Sequence, residues 1–246
     1  MLDVLALAAH PDDVELSCGG TIRLLVEQGR RVGIVDFTRG ELGSRGTPAI
    51  REQEAARASE ILGISARENL GLPDGNIENT DANRRLLIRS IRRYRPHVLL
   101  INAPDDRHPD HAAAARLSIE AAFYSGLRML KTYDAGEPQA PHRPAHVLHY
   151  MQSVPFEPTL VVDVSSTWET RVKAMEAFST QFYNPEHDED GGPTTFISDP
   201  EFWNWIEARA RTLGYRIGAT YGEGFLYHHG PLGVTDLLAT LGDRRV

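Results

Sequence analysis

Short runs of apolar residues alternate along the chain with segments in which apolar and polar positions follow a helical spacing. A short continuous apolar run is typical of a strand that is buried on both faces of a parallel sheet. Such runs predict strands at 4–9, 31–38, 68–73, 97–104, 147–153 and 160–164, and the segment "EGFLYHH" at 223–229 closes the fold. Between them, the helical spacing and its capping residues predict helices at 21–29, 48–63, 83–95, within 105–126, and at 167–182 and 199–213.

Strands and helices alternate regularly through the first half of the chain. This alternation predicts a parallel sheet with right-handed crossovers and with helices on both faces. The expected fold class is therefore α/β, a Rossmann-like, open and mostly parallel sheet with C-terminal α+β additions. No internal repeat or linker divides the sequence, so we expect residues 1–246 to form a single domain.

Composition narrows the choice of partners and location. The formal net charge is −8 and no basic cluster is set among aromatic residues, so a small-molecule substrate is expected rather than nucleic acid or an anionic membrane. No segment resembles a signal peptide or a membrane-spanning helix, which favours a cytoplasmic location. Cys18 is the single cysteine, which excludes an intrachain disulfide and a multi-cysteine zinc site.

Two polar clusters follow predicted strands at the point where each strand ends. The first, "AAHPDDVELSCGG" at 8–20, follows the first strand, and the second, "DDRHPDH" at 105–111, follows the strand at 97–104. Ligands bind at the carboxyl edge of open α/β sheets, so both clusters are expected to contribute to one site. A lone "HPDD" is often a turn that caps a helix, but two such clusters indicate a functional site.

The residue types in these clusters indicate metal-assisted amide hydrolysis. His10, Asp13 and His111 form a set of two histidines and one carboxylate, which suits zinc and leaves a coordination position open, although Fe²⁺ and other divalent ions accept the same set. Asp12 is a natural general base for an attacking water. His108, three residues before His111, can protonate the leaving amine or stabilise the oxyanion.

Two other functions are consistent with parts of the pattern. A nucleotide-binding oxidoreductase would share the fold, but no G-x-G-x-x-G motif follows the first strand. A non-catalytic module that binds a sugar or a metal would not need Asp12 as a base beside a complete ligand set. The acidic, glycine-rich segment 183–195 is expected to be a mobile surface loop or a lid over the site.

The paired motifs "AHPDD" and "HPDH" resemble those of the PIG-L/LmbE-like zinc deacetylases, which remove acetyl groups from N-acetylglucosamine units. The segments "VELSCGGT", "GLPDGN", "DRHPDH" and "YGEGF" are most similar to the bacillithiol-biosynthesis branch. The resemblance covers nearly the whole chain. It implies deacetylation of N-acetylglucosaminyl malate and a homo-oligomer, either a hexamer or a dimer.

The same resemblance implies a role for each site residue. It places one zinc ion per chain on His10, Asp13 and His111. Asp12 would be the general base and His108 would assist at the tetrahedral intermediate. An arginine after the second strand lies in the substrate pocket of the family, and Arg51 in "TPAIREQE" matches it.

Arginines near strand ends are candidates for binding the substrate, and two positions that differ from the family pattern concern the oxyanion. Guanidinium groups bind carboxylates, and four of them lie near strand ends, at Arg39, Arg45, Arg51 and Arg107. Of these, Arg51 is predicted to bind the aglycone. The family's "SQ" is Thr180-Gln181 here. Trp203 aligns with a tyrosine that some members use near the oxyanion. Tyr183 could take over the role of that tyrosine in this chain.

Overall fold

The computed structural model describes residues 1–183 and 193–236. Its strands are β1 (Val4–Ala8), β2 (Val32–Asp36), β3 (Ala66–Asn69), β4 (Val98–Ile101), β5 (Tyr133–Asp134), β6 (Glu137–Pro138), β7 (His146–Tyr150), β8 (Leu160–Asp163) and β9 (Gly222–Tyr227). Its helices are α1 (Asp13–Glu27), α2 (Pro48–Leu62), α3 (Asp81–Tyr94), α4 (Pro109–Tyr124), α5 (Trp168–Glu176) and α6 (Pro200–Ile217).

The main sheet has seven strands in the order β3-β2-β1-β4-β7-β9-β8. The first five of these strands pair in parallel, whereas β9 is antiparallel to both of its neighbours. The order reverses between β1 and β4, and this reversal opens a crevice at the carboxyl ends of the two strands. The predicted α/β class with a mostly parallel sheet is confirmed, and the C-terminal additions are the strands that complete the sheet beyond β7. That residues 1–246 form a single domain stays a prediction.

Helices cover both faces of the sheet because successive strand residues point to opposite sides. On one face, Val4, Ala6 and Ala8 of β1 pack in a cluster with residues of α1, α2, α5 and α6. On the other face, Leu5 and Leu7 pack in a second cluster with residues of α3 and α4. All five residues of β1 are buried, as a strand between two helical layers requires.

Helix α1 begins earlier than predicted and contains a kink. The prediction placed its start after the two glycines, but the helix begins at Asp13 and has a non-helical conformation at Cys18. Carbonyl oxygens left free near the kink accept hydrogen bonds from the buried Arg171, which donates to Glu15 and Leu16. Segment 19–20 is thus part of the helix rather than a linker before it.

A buried carboxylate explains why a glycine is needed after this kink. Glu223 of β9 accepts hydrogen bonds from the backbone of Gly20 at 3.0 Å and of Thr21 at 2.7 Å, and it forms an ion pair with Arg171 at 3.3 Å. A Cβ atom at position 20 would lie 2.9 Å from the Glu223 carboxylate and 2.9 Å from Val164. The close approach of β9 and α1 therefore requires glycine at this position.

Other element boundaries differ by a few residues from the predicted ones. Strand β3 occupies Ala66–Asn69 instead of 68–73, because Gly71 has a positive φ of 66° and turns the chain away from the sheet. Helix α5 ends at Glu176 rather than at 182. A short antiparallel pair, β5 and β6, lies partly in the segment 136–146, which was predicted to be a loop.

Two sequence predictions concern segments outside the sheet. The predicted lid at 183–195 falls largely on residues 184–192, which lie outside the described residues. Within the described part of the chain, no helix combines the length and the apolar character needed to cross a membrane.

Candidate active site and metal centre

The two polar clusters meet because β1 and β4 are neighbours in the sheet. His10 follows β1, while His108 and His111 lie at the start of α4, which follows β4. The ring centroid of His10 is 4.7 Å from that of His108 and 5.5 Å from that of His111. The structure thus places all three histidines at the crevice where the strand order reverses.

The predicted metal ligands lie close together. Nε2 of His111 is 3.1 Å from Oδ1 of Asp13, and Nδ1 of His10 is 3.9 Å from Oδ2 of Asp13. Ring nitrogens of His10, His108 and His111 also lie within 4.8 Å of one another. Imidazole nitrogens with one carboxylate form a donor set that suits zinc and other divalent transition metals.

Three further carboxylates, which the sequence analysis missed, hold the two histidines that are predicted to be ligands. Nδ1 of His111 is hydrogen-bonded to Asp106 at 2.5 Å, and Nε2 of His10 is bonded to Asp74 at 3.1 Å and to Asp110 at 3.2 Å. Histidines that bind metals typically bond a carboxylate or carbonyl through the other ring nitrogen, which orients the ring. Each histidine therefore keeps its remaining nitrogen toward Asp13, and the site fits a divalent metal ion.

These carboxylates also decide the charge of the histidines in the metal-free protein. Burial lowers the pKa of His10, but the hydrogen bonds to Asp110 and Asp74 and the nearby carboxylate charges raise it to about 10. Burial likewise lowers the pKa of His111, and the charge of Asp13 and the bond to Asp106 raise it to about 9. These raised pKa values favour protonated rings at neutral pH in the metal-free protein, so a metal ion would have to displace their protons to bind.

Asp12 has a different environment from its neighbour Asp13. Its φ of 136° is unusual for a residue other than glycine, and such strain is concentrated at functional sites. Its carboxylate accepts a hydrogen bond from Arg51 at 2.7 Å, and both side chains are buried. Burial raises the pKa of Asp12 to about 7, although the charge of Arg51 opposes the rise. A carboxylate that titrates near neutrality has the protonation behaviour of a general base.

Arg51 lines the cavity but is bound within the protein. Besides Asp12, its guanidinium donates to the carbonyls of Pro11 at 3.3 Å and Gly40 at 3.4 Å. Only 5% of its surface is exposed. The sequence pattern does not reveal this contact, because Arg51 on α2 lies 39 positions from Asp12. Aglycone binding by Arg51 stays a prediction, and the structure adds a second role beside it.

His108 occupies the N-cap position of α4. Its Nδ1 accepts a hydrogen bond from the backbone of Asp110 at 3.3 Å, so in the neutral ring the proton is on Nε2. Burial and the positive charges of His10 and His111 lower the pKa of His108 below its usual value. The side chain lines the same cavity as the predicted metal ligands.

A cavity of about 410 Å³ lies over these residues. Its wall includes Arg107, whose guanidinium lies 4.2 Å from the ring centroid of Phe196. Arg45 is bound elsewhere, since its Nε donates to the carbonyl of Thr180 at 3.0 Å. Of the four arginines considered from the sequence, Arg107 is the one that is exposed in the wall of the cavity.

The residues considered for the oxyanion have different surroundings. Gln181 lines the cavity and donates to the carbonyl of Arg45 at 2.7 Å. Trp203 packs against Phe182, with 5.6 Å between ring centroids, and belongs to an apolar cluster. These contacts give Trp203 a packing role. That Tyr183 takes the role near the oxyanion stays a prediction.

Comparison with known proteins agrees with this geometry. The family model PIG-L, described as GlcNAc-PI de-N-acetylase, matches residues 5–122, which include both motifs. Diacetylchitobiose deacetylase from Thermococcus kodakarensis is 29% identical over 91% of this chain and 82% of its own. A probable N-acetyl-alpha-D-glucosaminyl L-malate deacetylase 2 from Bacillus cereus is 30% identical over 72% of this chain and 83% of its own.

A solved structure shows the same fold over nearly the whole chain. The conserved protein TT1542 from Thermus thermophilus has a TM-score of 0.83 and is 37% identical, with 96% of this chain and 98% of that chain covered. The fold and the site together define the protein as an α/β enzyme with a histidine-carboxylate centre. The chain belongs to the PIG-L family of deacetylases.

Proposed function

We propose that the protein is a metal-dependent hydrolase that removes the acetyl group from a small molecule containing N-acetylglucosamine. The observation that carries this proposal is the buried Asp12, bonded to Arg51, beside two histidines that are each oriented by a carboxylate. A module that only binds a metal has no need of a separate carboxylate that titrates near pH 7.

His10, Asp13 and His111 would hold one divalent ion, which we propose is zinc, with Fe²⁺ or another divalent ion as the alternative. When bound, such an ion supplies Lewis-acid chemistry: it polarises a carbonyl and makes water acidic enough to ionise near neutral pH. Asp74, Asp106 and Asp110 keep the histidine rings in place.

The residues of this chain supply the proton transfers of amide hydrolysis. Asp12 accepts a proton from water as the water oxygen forms a bond to the acetyl carbon, and Arg51 holds the carboxylate in position. The proton on Asp12 then passes to the amine nitrogen as the carbon–nitrogen bond breaks, while the Nε2–H of the neutral His108 donates a hydrogen bond to the oxyanion of the tetrahedral intermediate. The products are acetate and a free amino sugar.

Within this function, we propose a substrate with a carboxylate-bearing aglycone, of the N-acetylglucosaminyl malate type in bacillithiol biosynthesis. Arg107 supports this choice, because it is exposed in the cavity wall and forms no ion pair with another described residue. A guanidinium in this position suits a carboxylate. A neutral N-acetylglucosaminide, such as the substrate that the Thermococcus relative is named for, is the alternative.

An acetate-release assay with metal analysis tests both levels of the proposal. Purified protein should contain about one zinc-like ion per chain, and chelation followed by metal addition should abolish and restore acetate release. If the chain were a non-catalytic module, it would bind metal but release no acetate from any N-acetylglucosaminide tested. Faster turnover of neutral substrates than of carboxylate-bearing ones would reject only the proposed aglycone.

We further propose that the protein acts in the cytoplasm as a homo-oligomer, with a small amino sugar as its partner and without nucleic acid or membrane. The net charge of −8 supports the absence of anionic partners. Sedimentation of the purified protein tests the oligomeric state.

A further inference from the structure

Two buried amide side chains lie directly behind the metal ligand Asp13. Asn102 follows β4 and is fully buried, and Gln152 follows β7 and is 3% exposed. Because β1, β4 and β7 are consecutive in the sheet, Asp13, Asn102 and Gln152 come from the ends of three adjacent strands. We name Asn102 and Gln152 together the amide clamp.

Each polar group of the amide clamp has a defined partner. Nδ2 of Asn102 donates to Oδ2 of Asp13 at 3.0 Å and to Oε1 of Gln152 at 3.1 Å. Nε2 of Gln152 donates to Oδ1 of Asp13 at 3.2 Å. The side-chain oxygens also accept backbone N–H groups. Oδ1 of Asn102 accepts from Ala9 at 3.1 Å, and Oε1 of Gln152 accepts from Ala103 at 3.0 Å. These bonds determine which end of each amide faces Asp13.

Counting acceptor positions shows what remains of the Asp13 carboxylate. An ionised carboxylate has about four lone-pair sites. Oδ2 receives the backbone N–H of His10 at 3.0 Å and the N–H of Asn102, and Oδ1 receives the N–H of Gln152. The remaining site is on Oδ1, the oxygen that lies 3.1 Å from Nε2 of His111.

We infer that Asn102 and Gln152 are positioning residues, which hold Asp13 so that the single oxygen Oδ1 is presented to a metal ion beside His111. This inference rests on the proposed metal-dependent function and adds to it the residues that orient the carboxylate ligand. It gives the amide clamp the role toward Asp13 that Asp106 has toward His111. Without the clamp, the carboxylate can rotate and offer both oxygens.

Metal affinity is the measurement that separates positioning from simple packing. Gln152→Met keeps the length of the side chain but removes its N–H donor, and Asn102→Leu does the same for the shorter amide. Gln152→Asn retains an amide that is one methylene too short to reach Asp13. The matched control is Gln139→Met, because Gln139 donates to the carbonyl of Arg89 away from the site.

Zinc dissociation constants are measured by chelator competition, and thermal unfolding is measured on the same proteins in excess EDTA. We expect each clamp variant to bind zinc about 10–100-fold more weakly, as is typical when a residue that orients a ligand is lost, whereas Gln139→Met binds like the parent. Cobalt-loaded Asn102→Leu should also have altered visible absorption bands, because this change removes the side-chain hydrogen bond to Oδ2 and Asp13 can then bind through both oxygens.

Each outcome bears on one of the two proposals. Clamp variants that are folded, less stable in EDTA and unchanged in zinc affinity and cobalt spectrum would show that the amides only pack, and would overturn the inference. If Gln152→Met and Asn102→Leu do not fold, the zinc affinity of Gln152→Asn decides between positioning and packing. A parent protein that binds no stoichiometric metal would instead overturn the proposed function.

Discussion

Arg51 on α2 donates a hydrogen bond of 2.7 Å to the carboxylate of Asp12, which lies in the turn between β1 and α1. Both side chains are nine-tenths or more buried, so the ion pair is only weakly screened by solvent. Burial raises the pKa of Asp12 and Arg51 opposes that rise, which leaves a carboxyl group that titrates at about 7. Asp12, the proposed general base, and Arg51 thus form one electrostatic unit.

Replacing Arg51 by Met should therefore move the acidic limb of the pH–activity profile to higher pH. Loss of the positive charge raises the pKa of Asp12 further, and a base must be deprotonated to accept a proton. The shift should be the same for charged and neutral N-acetylglucosaminides, and Arg51→Lys should show less of it. A profile that stays in place, with activity lost only toward carboxylate-bearing substrates, would instead support aglycone binding by Arg51.

Changing Asp12 to Asn should abolish most catalysis while the metal stays bound. An amide preserves the shape of the side chain but cannot accept the proton of water, and general-base assistance contributes about 10²–10⁴-fold to the rate. The loss should appear chiefly in kcat. Asp13→Asn is the comparison, because it should lower metal occupancy itself. Near-normal acetate release by Asp12→Asn with metal bound would show that another group is the base.

Arg107→Gln should reduce the preference for a carboxylate-bearing substrate. A charged hydrogen bond to a ligand contributes about 1.5–3 kcal/mol, so kcat/KM should fall about tenfold or more for the anionic substrate and little for a neutral one. Arg116→Gln is the control, since Arg116 is exposed on α4 in the wall of a different cavity. Equal losses on both substrates would exclude charge recognition by Arg107.

Metal binding should release protons. In the metal-free protein the pKa values of His10 and His111 are raised to about 10 and 9, so at pH 7 a metal ion must displace protons from both rings. Apparent zinc affinity should therefore increase as the pH rises toward 9. Calorimetric titrations in buffers of different ionisation enthalpy count the released protons, and a heat that is the same in every buffer would contradict this prediction.

The same pKa values predict how the metal-free protein depends on pH. A histidine whose pKa is higher in the folded than in the unfolded protein stabilises the fold fully below the unfolded value of 6.5. That contribution is lost as the pH rises through 9 and 10. Denaturant unfolding in EDTA should show this decline, which zinc-loaded protein should lack.

Glu223→Ala should destabilise the fold strongly. The change leaves Arg171 without its buried partner and the N–H groups of Gly20 and Thr21 without an acceptor, and breaking a buried ion pair costs about 3–5 kcal/mol. Glu157→Ala is the matched control, because its pair with Arg216 is at the surface. Denaturant midpoints measure both changes, and similar values for the two variants would contradict the structural role of Glu223.

The order of elements could be predicted from the sequence because it is a local property. Buried parallel strands are continuous apolar runs, and capping residues such as Thr47 with Pro48 mark where a helix begins. The kink at Cys18 could not be predicted in this way. It depends on Arg171 and Glu223, which lie far along the chain and replace the hydrogen bonds that the helix loses.

By itself, the sequence determined the fold class and the candidate ligands His10, Asp13 and His111, because strand ends and residue types are encoded within a few neighbouring positions. Only the tertiary structure decided that β1 lies beside β4, that Asp74 and Asp106 hold the histidines, and that Arg51 is bound to Asp12. Such contacts join residues that are distant along the chain or hidden among many similar ones. A chain with 24 arginines offers many equal candidates, and burial in the folded protein selects among them.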